Sequence, residues 1–559
     1  MKNLISYLLL ILLTTSSCDP KIADMQLDEL QDKTEYTGGI SVSVGQYMDQ
    51  PVTNLTVNGE NFSGDALTIT DAGYYLIEFT YKQGGQPVDK SMRIVILDRE
   101  RGIAEWGLKK WTPKEPAYRE TADVISFIHP GFCPEGVSVP VVVLTNDTAL
   151  YSDVDLRADL DEVPFNVKNG VGSALFIPGN QDPGILTVAG GVHEIHIPEP
   201  AGDEQVLSGA LLDDLVLDEG AVVRVTGELT IPSNTTLTIR QGSFMTVDPG
   251  VNILNSGQIL IEGTKDLPVA ITCSDPGDHW GGFISSGANN SINASYTFIC
   301  RSGYHDKDPY DYGHAQRQAT FYMENGLLNL DRCFLTDHAG QVFYPVNSEV
   351  TISHCLVQRA KTGGQINQGN ILISHSVFTD FPDDNSTYLD EDNDGLYLMG
   401  CDASIAHCVF AYCKDDALDS GGSGGGEITV RHTIFEAAFH EGAALSSGGS
   451  VLKQHTFTHC TFVNCGQGLE LGYSSPEHHV LLDSCTLTLN NIGIRYGDNY
   501  VNQHAGHITV QNSYSIHNKD KDIWNMLRNN WQSDTVKMEF TNVYVSEATP
   551  LYPHLKIYD

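Results

Sequence analysis

Short runs of alternating apolar and polar residues recur along the chain, separated by turns rich in Gly, Asn and Asp. A period of two predicts β-strands, because successive side chains of a strand point to opposite faces. From about residue 40 to 97 this pattern predicts a small β-sandwich, which we assign to residues 18–102. Further strands predict a second β-rich domain at residues 103–204. The pattern is typical of an all-β protein.

The remaining residues, 205–559, repeat a unit of roughly 25 residues. In each unit a small residue precedes an apolar strand, and a second strand follows, as in Gly468-Leu469-Glu470-Leu471. The small residues are Cys333, Cys355, Ser376, Cys408, Thr433, Cys460, Cys485 and Ser513. Two short strands per unit, with no helical periodicity between them, predict a parallel β-solenoid whose coils stack roughly 4.8 Å apart.

Cysteine and histidine recur in this repeat. Of the twelve cysteines, the eleven after Cys18 include five at the small-residue position, and we interpret most of the eleven as buried thiols rather than disulfides. A histidine precedes the small residue in five units. These histidines are His354, His375, His407, His432 and His459. Because each marks the same place in the repeat, we predict a structural stack rather than a metal site.

The N-terminal segment has the pattern of an export signal. Lys2 is followed by an apolar run from Leu4 to Leu13 and by small residues before Cys18, which is typical of a lipoprotein signal peptide over residues 1–17. We therefore expect an exported protein, anchored by a lipid on Cys18 at the cell surface or on the periplasmic face. Ordinary cleavage, with Cys18 unmodified, is the alternative. No other segment is apolar enough over its length to span a bilayer.

Charge narrows the set of partners. The chain has 32 Lys and Arg against 71 Asp and Glu, a formal net charge of −39. Such a field repels nucleic acid and attracts cations, so we expect no nucleic-acid partner. We expect a monomer.

Two groups of residues carry a family resemblance. The run GELTIPSNTTLTIRQGSFMTVDPGVNILNSGQILIEGT at Gly227–Thr264, with Trp280-Gly281-Gly282 after it, resembles the opening coils of secreted right-handed parallel β-helix proteins of the pectin-lyase-like superfamily. The later NDGLYL, KDDALDSGG and QGLELG are similar to a branch found beside spore-coat-protein-H-like kinase modules. The resemblance covers roughly residues 130–515.

This resemblance implies a right-handed parallel β-helix at residues 205–559, preceded by one or two immunoglobulin-like β-sandwich domains. It also implies a polysaccharide partner bound along the solenoid. It leaves the activity open, because this fold is shared by lyases, hydrolases, esterases and proteins without catalytic function.

Three carboxylates occupy one position on successive units: Asp394, Asp416 and Glu441. Neighbours about 5 Å apart repel by roughly 3 kcal/mol at an effective dielectric near 20. A bound cation, a shared proton or rotation into solvent must relieve this repulsion. The three residues are therefore our candidate catalytic groups, and the alternative is a set of solvated turn carboxylates.

The pair Asp415-Asp416 resembles the Asp-Asp of polygalacturonase-type glycosidases, which implies acid–base chemistry of the glycoside hydrolase type. In this hypothesis Asp416 is the general acid, its pKa raised by its neighbours, and Asp394 or Glu441 is the base. The expected substrate-binding residues are Asp415, His440, Glu470, Tyr473, Arg495 and Tyr496. Two alternatives stay open: a non-catalytic glycan-binding or adhesive surface protein, and a calcium-dependent polysaccharide lyase that uses Arg495.

A candidate cation site precedes the second carboxylate. Asp390, Asp392 and Asp394 alternate in the string DEDNDG, which matches the first half of a calcium loop. The position where an EF-hand has its final Glu is Cys401, so the loop is not a complete EF-hand. We predict calcium at these three residues, and an ordinary acidic turn is the alternative.

Overall fold

The computed structural model describes most of the chain after its N-terminal segment. The described ranges are 23–30, 34–37, 39–70, 73–97, 111–146, 149–179, 183–304, 311–384, 392–421, 426–447, 453–473, 478–497, 506–525, 536–546 and 555–558. The predicted signal peptide, Cys18 and Asp390 lie outside these ranges. Within them there is no α-helix, and so none that is long and apolar enough to cross a membrane.

The chain divides into two compact units, Met1–Ile103 and Ala104–Asp559. The first is a two-sheet β-sandwich, whose sheets share one core that includes Ile40, Ile77 and Ile94. One sheet contains Ala23–Gln26, Ile40–Ser43 and Ala66–Ile69; the other contains Thr34–Thr37, Thr53–Val57, Glu60–Asn61, Gly73–Gln83 and Gln86–Leu97; a small ribbon pairs Gln46–Tyr47 with Gln50–Pro51. The predicted sandwich is confirmed, and its immunoglobulin-like character stays a prediction.

The second unit begins with two small antiparallel sheets. Their strands are Ser126–Ile128, Val139–Leu144 and Val171–Phe176 in one sheet, and Leu156–Leu160, Val163–Val167, Gly184–Val188 and Gly191–Ile195 in the other. The strand Val139–Leu144 is buried at every position, because its residues join one apolar core with β-helix residues such as Phe298, Phe334 and Val377. This β-rich segment therefore packs directly on the β-helix.

The rest of the second unit is a solenoid in which each strand pairs in parallel with the strand one coil later. Its strands form three faces. The first face contains Phe244–Val247, Val269–Cys273, Thr297–Cys300, Phe334–Thr336, Leu356–Gln358, Val377–Phe381, Val409–Cys413, Ile434–Glu436, Thr461–Val463, Thr486–Thr488, Tyr514–Ile516, Tyr544–Val545 and Lys556–Ile557. The second face contains Ile253–Asn255, Phe283–Ser285, Arg317–Glu324, Tyr397–Met399, Leu418–Ser420, Glu441–Ser447, Gln467–Tyr473, Ile492–Tyr496 and Lys521–Asn525.

The third face completes each coil. It contains Leu215–Leu217, Thr236–Arg240, Gln258–Glu262, Ser291–Ser295, Leu327–Asp331, Asp402–Ala406, Gly426–Arg431, Lys453–Thr458, His479–Asp483, Gly506–Gln511 and Val536–Thr541. Longer strands bend across two faces: Glu204–Ala210, Val222–Ile231, Gln341–Ser353 and Thr362–Ser374. Asp311–Tyr312 adds an antiparallel strand beside Arg317–Glu324.

Residues of the same type stack on one another in the interior of this solenoid and at one of its corners. Phe410 stacks on Phe378 with ring centroids 4.8 Å apart, and Phe435 and Phe462 continue the interior row. The eleven cysteines after Cys18 are all buried and none forms a disulfide, which agrees with the prediction of buried thiols. The five predicted histidines stack at 4.8 to 5.0 Å, and each has a φ between 48° and 57°. The predicted stack is confirmed, and it occupies the left-handed corner between the third and first faces.

Candidate functional site

Asp394, Asp416 and Glu441 form a ladder of carboxylates on successive coils. They lie where the chain turns from the first face to the second. The backbone N–H of Asp416 donates to Oδ1 of Asp394 at 3.2 Å, and the N–H of Glu441 donates to Oδ1 of Asp416 at 2.9 Å. The side chains of Asp394 and Asp416 therefore each accept a hydrogen bond from the backbone of the next coil. Gln467 pairs with Glu441 one coil further on. The predicted register of these residues is confirmed.

His440 lies at the centre of the acidic residues. Its Nδ1 atom is 3.2 Å from Oδ1 of Asp415, 3.2 Å from Oδ1 of Asp416, and in contact with Oε2 of Glu441. The side chains of His440 and Asp416 are each 10% exposed, whereas that of Glu441 is fully buried. One imidazole thus contacts carboxylates from two successive coils.

A second basic group extends the cluster along the second face. Arg495 donates to Oε2 of Glu470 at 2.6 Å and to Oε1 of Gln467 at 3.1 Å, while Gln467 donates to Oε1 of Glu441. Arg495 is itself fully buried, and its guanidinium lies 5.6 Å from the ring centre of Trp524. A continuous polar chain therefore runs from His440 through Glu441 and Gln467 to Arg495.

The protonation states in this cluster are divided. Burial, and then the charges of Asp415 and Asp416, raises the pKa of Asp394 well above its usual range. Burial, and then the charge of Asp416, likewise raises the pKa of Glu441. Asp394 and Glu441 therefore tend to hold protons.

The pKa of Asp416 is lowered instead. Burial disfavours its charge, but the charge of His440 and hydrogen bonds from Glu441 and His440 outweigh that penalty. For His440, burial is outweighed by the acidic groups beside it, Glu441 and then Asp416, so its pKa is raised. The expectation that Asp416 has a raised pKa is therefore wrong, because His440 supplies a positive charge beside it.

Retained protons and the charge of His440 relieve the repulsion between the three carboxylates. Asp394, Asp416 and Glu441 are 3%, 7% and 0% exposed, so the alternative of solvated turn carboxylates is wrong. Retained protons and the charge of His440 neutralise the ladder. Burying such groups is expensive unless they are paired and hydrogen-bonded. The packing of a β-helix coil does not by itself require ionisable groups to be buried in this way.

Several other predicted residues lie elsewhere. Tyr496 is fully buried and pairs with Leu471 in the interior row, so the expectation that it binds the substrate is wrong. Tyr473 ends a described strand, but its side chain lies outside the described residues. Asp392 is half-buried and lies 3.2 Å from Nδ1 of His314, whose ring stacks on Tyr397. The calcium site at Asp390, Asp392 and Asp394 stays a prediction.

The structure adds Gln467 to the site, a residue to which the sequence analysis assigns no role. Gln467 occupies the same position in its coil as Glu441 and connects Glu441 with Arg495. The repeat alone places Gln467 in register with the acidic residues, but its connecting role can be seen only from the side-chain geometry.

Two groups within this cluster have ligand atoms within 4.8 Å of one another, among the residues described, and could hold a metal ion. They are Asp415, Asp416 and His440, and His440, Glu441 and Glu470. A cation there would replace the positive charge that protonated His440 supplies, so metal binding and protonation of His440 would compete.

Comparison with known proteins agrees with this architecture. The family model "Right handed beta helix region" matches residues 320–487, and "Pectate-lyase like beta helix domain" matches residues 209–313. The chain is thus a right-handed parallel β-helix protein, as the resemblance implied. Its opening coils are of the pectate-lyase-like type, which supports a carbohydrate-related function.

A solved structure is also similar to this chain. The A-module of mannuronan C-5 epimerase AlgE4 from Azotobacter vinelandii aligns with 11% identity over 63% of this chain and 91% of that module, with a TM-score of 0.23. No curated protein matches the chain by sequence.

Proposed function

We propose that this protein binds a polysaccharide and cleaves it by acid–base chemistry at the cluster around His440. The observation that carries the proposal is the contact of Asp416 and Glu441 with one imidazole nitrogen, with their pKa values shifted in opposite directions. A proton-holding carboxyl beside an ionised one is the arrangement that glycoside hydrolysis uses.

The exposures assign different tasks to the three groups. Asp416 and His440 are each 10% exposed and are the members that a substrate can reach, whereas Glu441 is fully buried. In this mechanism Asp416 attacks the anomeric carbon while His440 gives its proton to the leaving oxygen and takes a proton from Glu441. Water then cleaves the glycosyl ester and frees Asp416, and the proton of that water returns through His440 to Glu441. Gln467 donates to Oε1 of Glu441 and so leaves Oε2 to carry the proton toward His440.

The spacing favours one stereochemical outcome. The proton donor His440 lies 3.2 Å from Asp416, closer than the roughly 6.5 Å that an inverting glycosidase needs to hold a water between its acid and its base. We therefore favour a mechanism in which the product retains its configuration. The anomeric configuration of the first product, followed by proton NMR, would test this.

The experiment is an activity screen on a panel of neutral and acidic polysaccharides. Release of reducing ends reports hydrolysis, and absorbance at 235 nm reports the unsaturated products of a lyase. For a substrate that is cut, Asp416→Asn should lower turnover by a factor on the order of a hundred, because it removes the charge of the reacting carboxylate. Glu427→Gln, which changes an exposed carboxylate on the third face, is the control and should cut at the wild-type rate. Turnover of Asp416→Asn at the wild-type rate would reject the hydrolase proposal.

Burial of the cluster favours a second candidate, a glycan-binding or adhesive protein without catalysis. No cluster side chain named above is more than one-tenth exposed, which limits access to the reacting groups. Binding without release of ends or of unsaturated products would support this candidate. The lyase that uses Arg495 gains less support, since its guanidinium is buried and paired with Glu470.

For location we propose export and a lipid tether on Cys18, with the protein otherwise monomeric. Labelling with a radioactive fatty acid should modify the full chain and not Cys18→Ser. An unlabelled wild-type protein in cells that process other lipoproteins would reject the tether. Gel filtration of the protein without its lipid tests the monomer.

A further inference from the structure

A cavity lies at the seam between the β-rich segment and the β-helix, away from the acidic cluster. Its volume is about 120 Å³. Its apolar walls come from both parts of the unit: Phe127, Ile128, Leu144 and Leu150 from the β-rich segment, and Phe334 from the first face. Leu144, Leu150 and Phe334 are at most 9% exposed, so the floor is part of the packed core.

Three basic side chains also line this cavity: Lys265, Arg332 and His354. Among the described lining residues none is a carboxylate. This composition departs from that of the whole chain, in which acidic residues outnumber Lys and Arg by 71 to 32. The cavity thus combines an apolar floor with positive charge at its edge.

The positive charge is only partly neutralised. Arg332 pairs with Asp331 through one guanidinium nitrogen, and its guanidinium lies 5.5 Å from the centre of the Tyr296 ring. Nδ1 of His354 is buried and 3.6 Å from Oδ1 of Asp331, too far for a hydrogen bond. Within the described part of the chain Lys265 has no ion-pair partner. Donors on Arg332 and Lys265 are therefore left for an anion.

We propose that this cavity binds a small carboxylate with a flat apolar ring, about the size of benzoate. A dry cavity of about 150 Å³ holds a benzene ring in another protein, so 120 Å³ suits a single ring with its charged group at the mouth. An apolar floor with a few convergent polar groups is a usual form of a small-molecule site. The carboxylate would accept hydrogen bonds from Arg332 and Lys265. This site is separate from the proposed polysaccharide site and does not depend on it.

Ligand-detected NMR and calorimetry with benzoate test this proposal on the full chain, with benzamide as the neutral ring of the same shape. Benzoate should bind saturably in the millimolar range or tighter, and benzamide about tenfold more weakly, because it lacks the charge. Equal affinities for the two, or no binding of benzoate, would overturn the proposal.

Two variants locate the site. Lys265→Ala removes an exposed side chain and should weaken benzoate binding about tenfold, whereas Lys521→Ala, an exposed lysine on the second face, should leave it unchanged. Ala149→Trp fills the cavity and should abolish binding. Unaltered binding by Lys265→Ala would reject the cavity as the site, even if Ala149→Trp fails to fold.

Discussion

Nδ1 of His440 lies 3.2 Å from Oδ1 of Asp416, although His440 belongs to the next coil of the solenoid. This contact lowers the pKa of Asp416. Burial and the charge of Asp416 instead raise the pKa of Glu441, although its Oε2 atom lies closer still to the same imidazole nitrogen. The chemistry of the site therefore depends on a contact between coils, not on the order of acidic residues along one coil.

The first prediction concerns the stability of this pair. Asp416→Asn removes the ionised partner of His440 and leaves a buried charge with less compensation, so it should destabilise the fold by about 3 kcal/mol. Glu441→Gln replaces a carboxyl whose raised pKa favours the proton-bearing form, and it should cost clearly less. Denaturant unfolding followed by circular dichroism measures both. A larger loss for Glu441→Gln than for Asp416→Asn would contradict the assigned protonation states.

Much of this architecture could be predicted from the sequence, because the repeat determines which residues stack. The small-residue row, the histidine stack and the register of Asp394, Asp416 and Glu441 all follow from spacing. The proton distribution could not be predicted, since it depends on where the His440 ring points. The orientation of Tyr496 had a usable signal: Ile494, two residues earlier, faces the interior, and alternation places Tyr496 there too.

The second prediction is a pH dependence that belongs to Asp394. Its pKa in the folded protein is raised well above 3.8 by burial and by Asp415 and Asp416. The stability it contributes is therefore complete below its unfolded pKa and is lost as the pH rises through its folded pKa. In that window the wild-type free energy of unfolding should fall with pH by up to about 1.4 kcal/mol per unit more than that of Asp394→Asn. Identical slopes for the two proteins would show that Asp394 is ionised in the fold. Asp483→Asn, whose carboxyl lies at the surface, is the matched control.

The third prediction concerns the buried thiols. Burial raises the pKa of Cys300, Cys408 and Cys465 to about 12, so little thiolate forms near neutral pH. A thiol reagent should modify none of the eleven cysteines after Cys18 in the native protein and all of them after denaturation without reductant. Mass spectrometry counts the labels. Paired cysteines that need reduction before labelling would contradict the inward stack.

The last prediction is calcium at Asp390, Asp392 and Asp394. Asp392 is partly exposed and lies 3.2 Å from Nδ1 of His314, an ion pair that a calcium ion can displace. Calcium would also offset the like charges around Asp394, whose retained proton reflects burial and those charges. Since a ligand that binds only the folded state stabilises it by mass action, millimolar calcium should raise the melting temperature relative to chelator. Asp392→Asn should reduce that rise, while Asp402→Asn, an exposed carboxyl on the third face, should not. Melting curves that coincide with and without calcium would reject the site and leave His314 as the partner of Asp392.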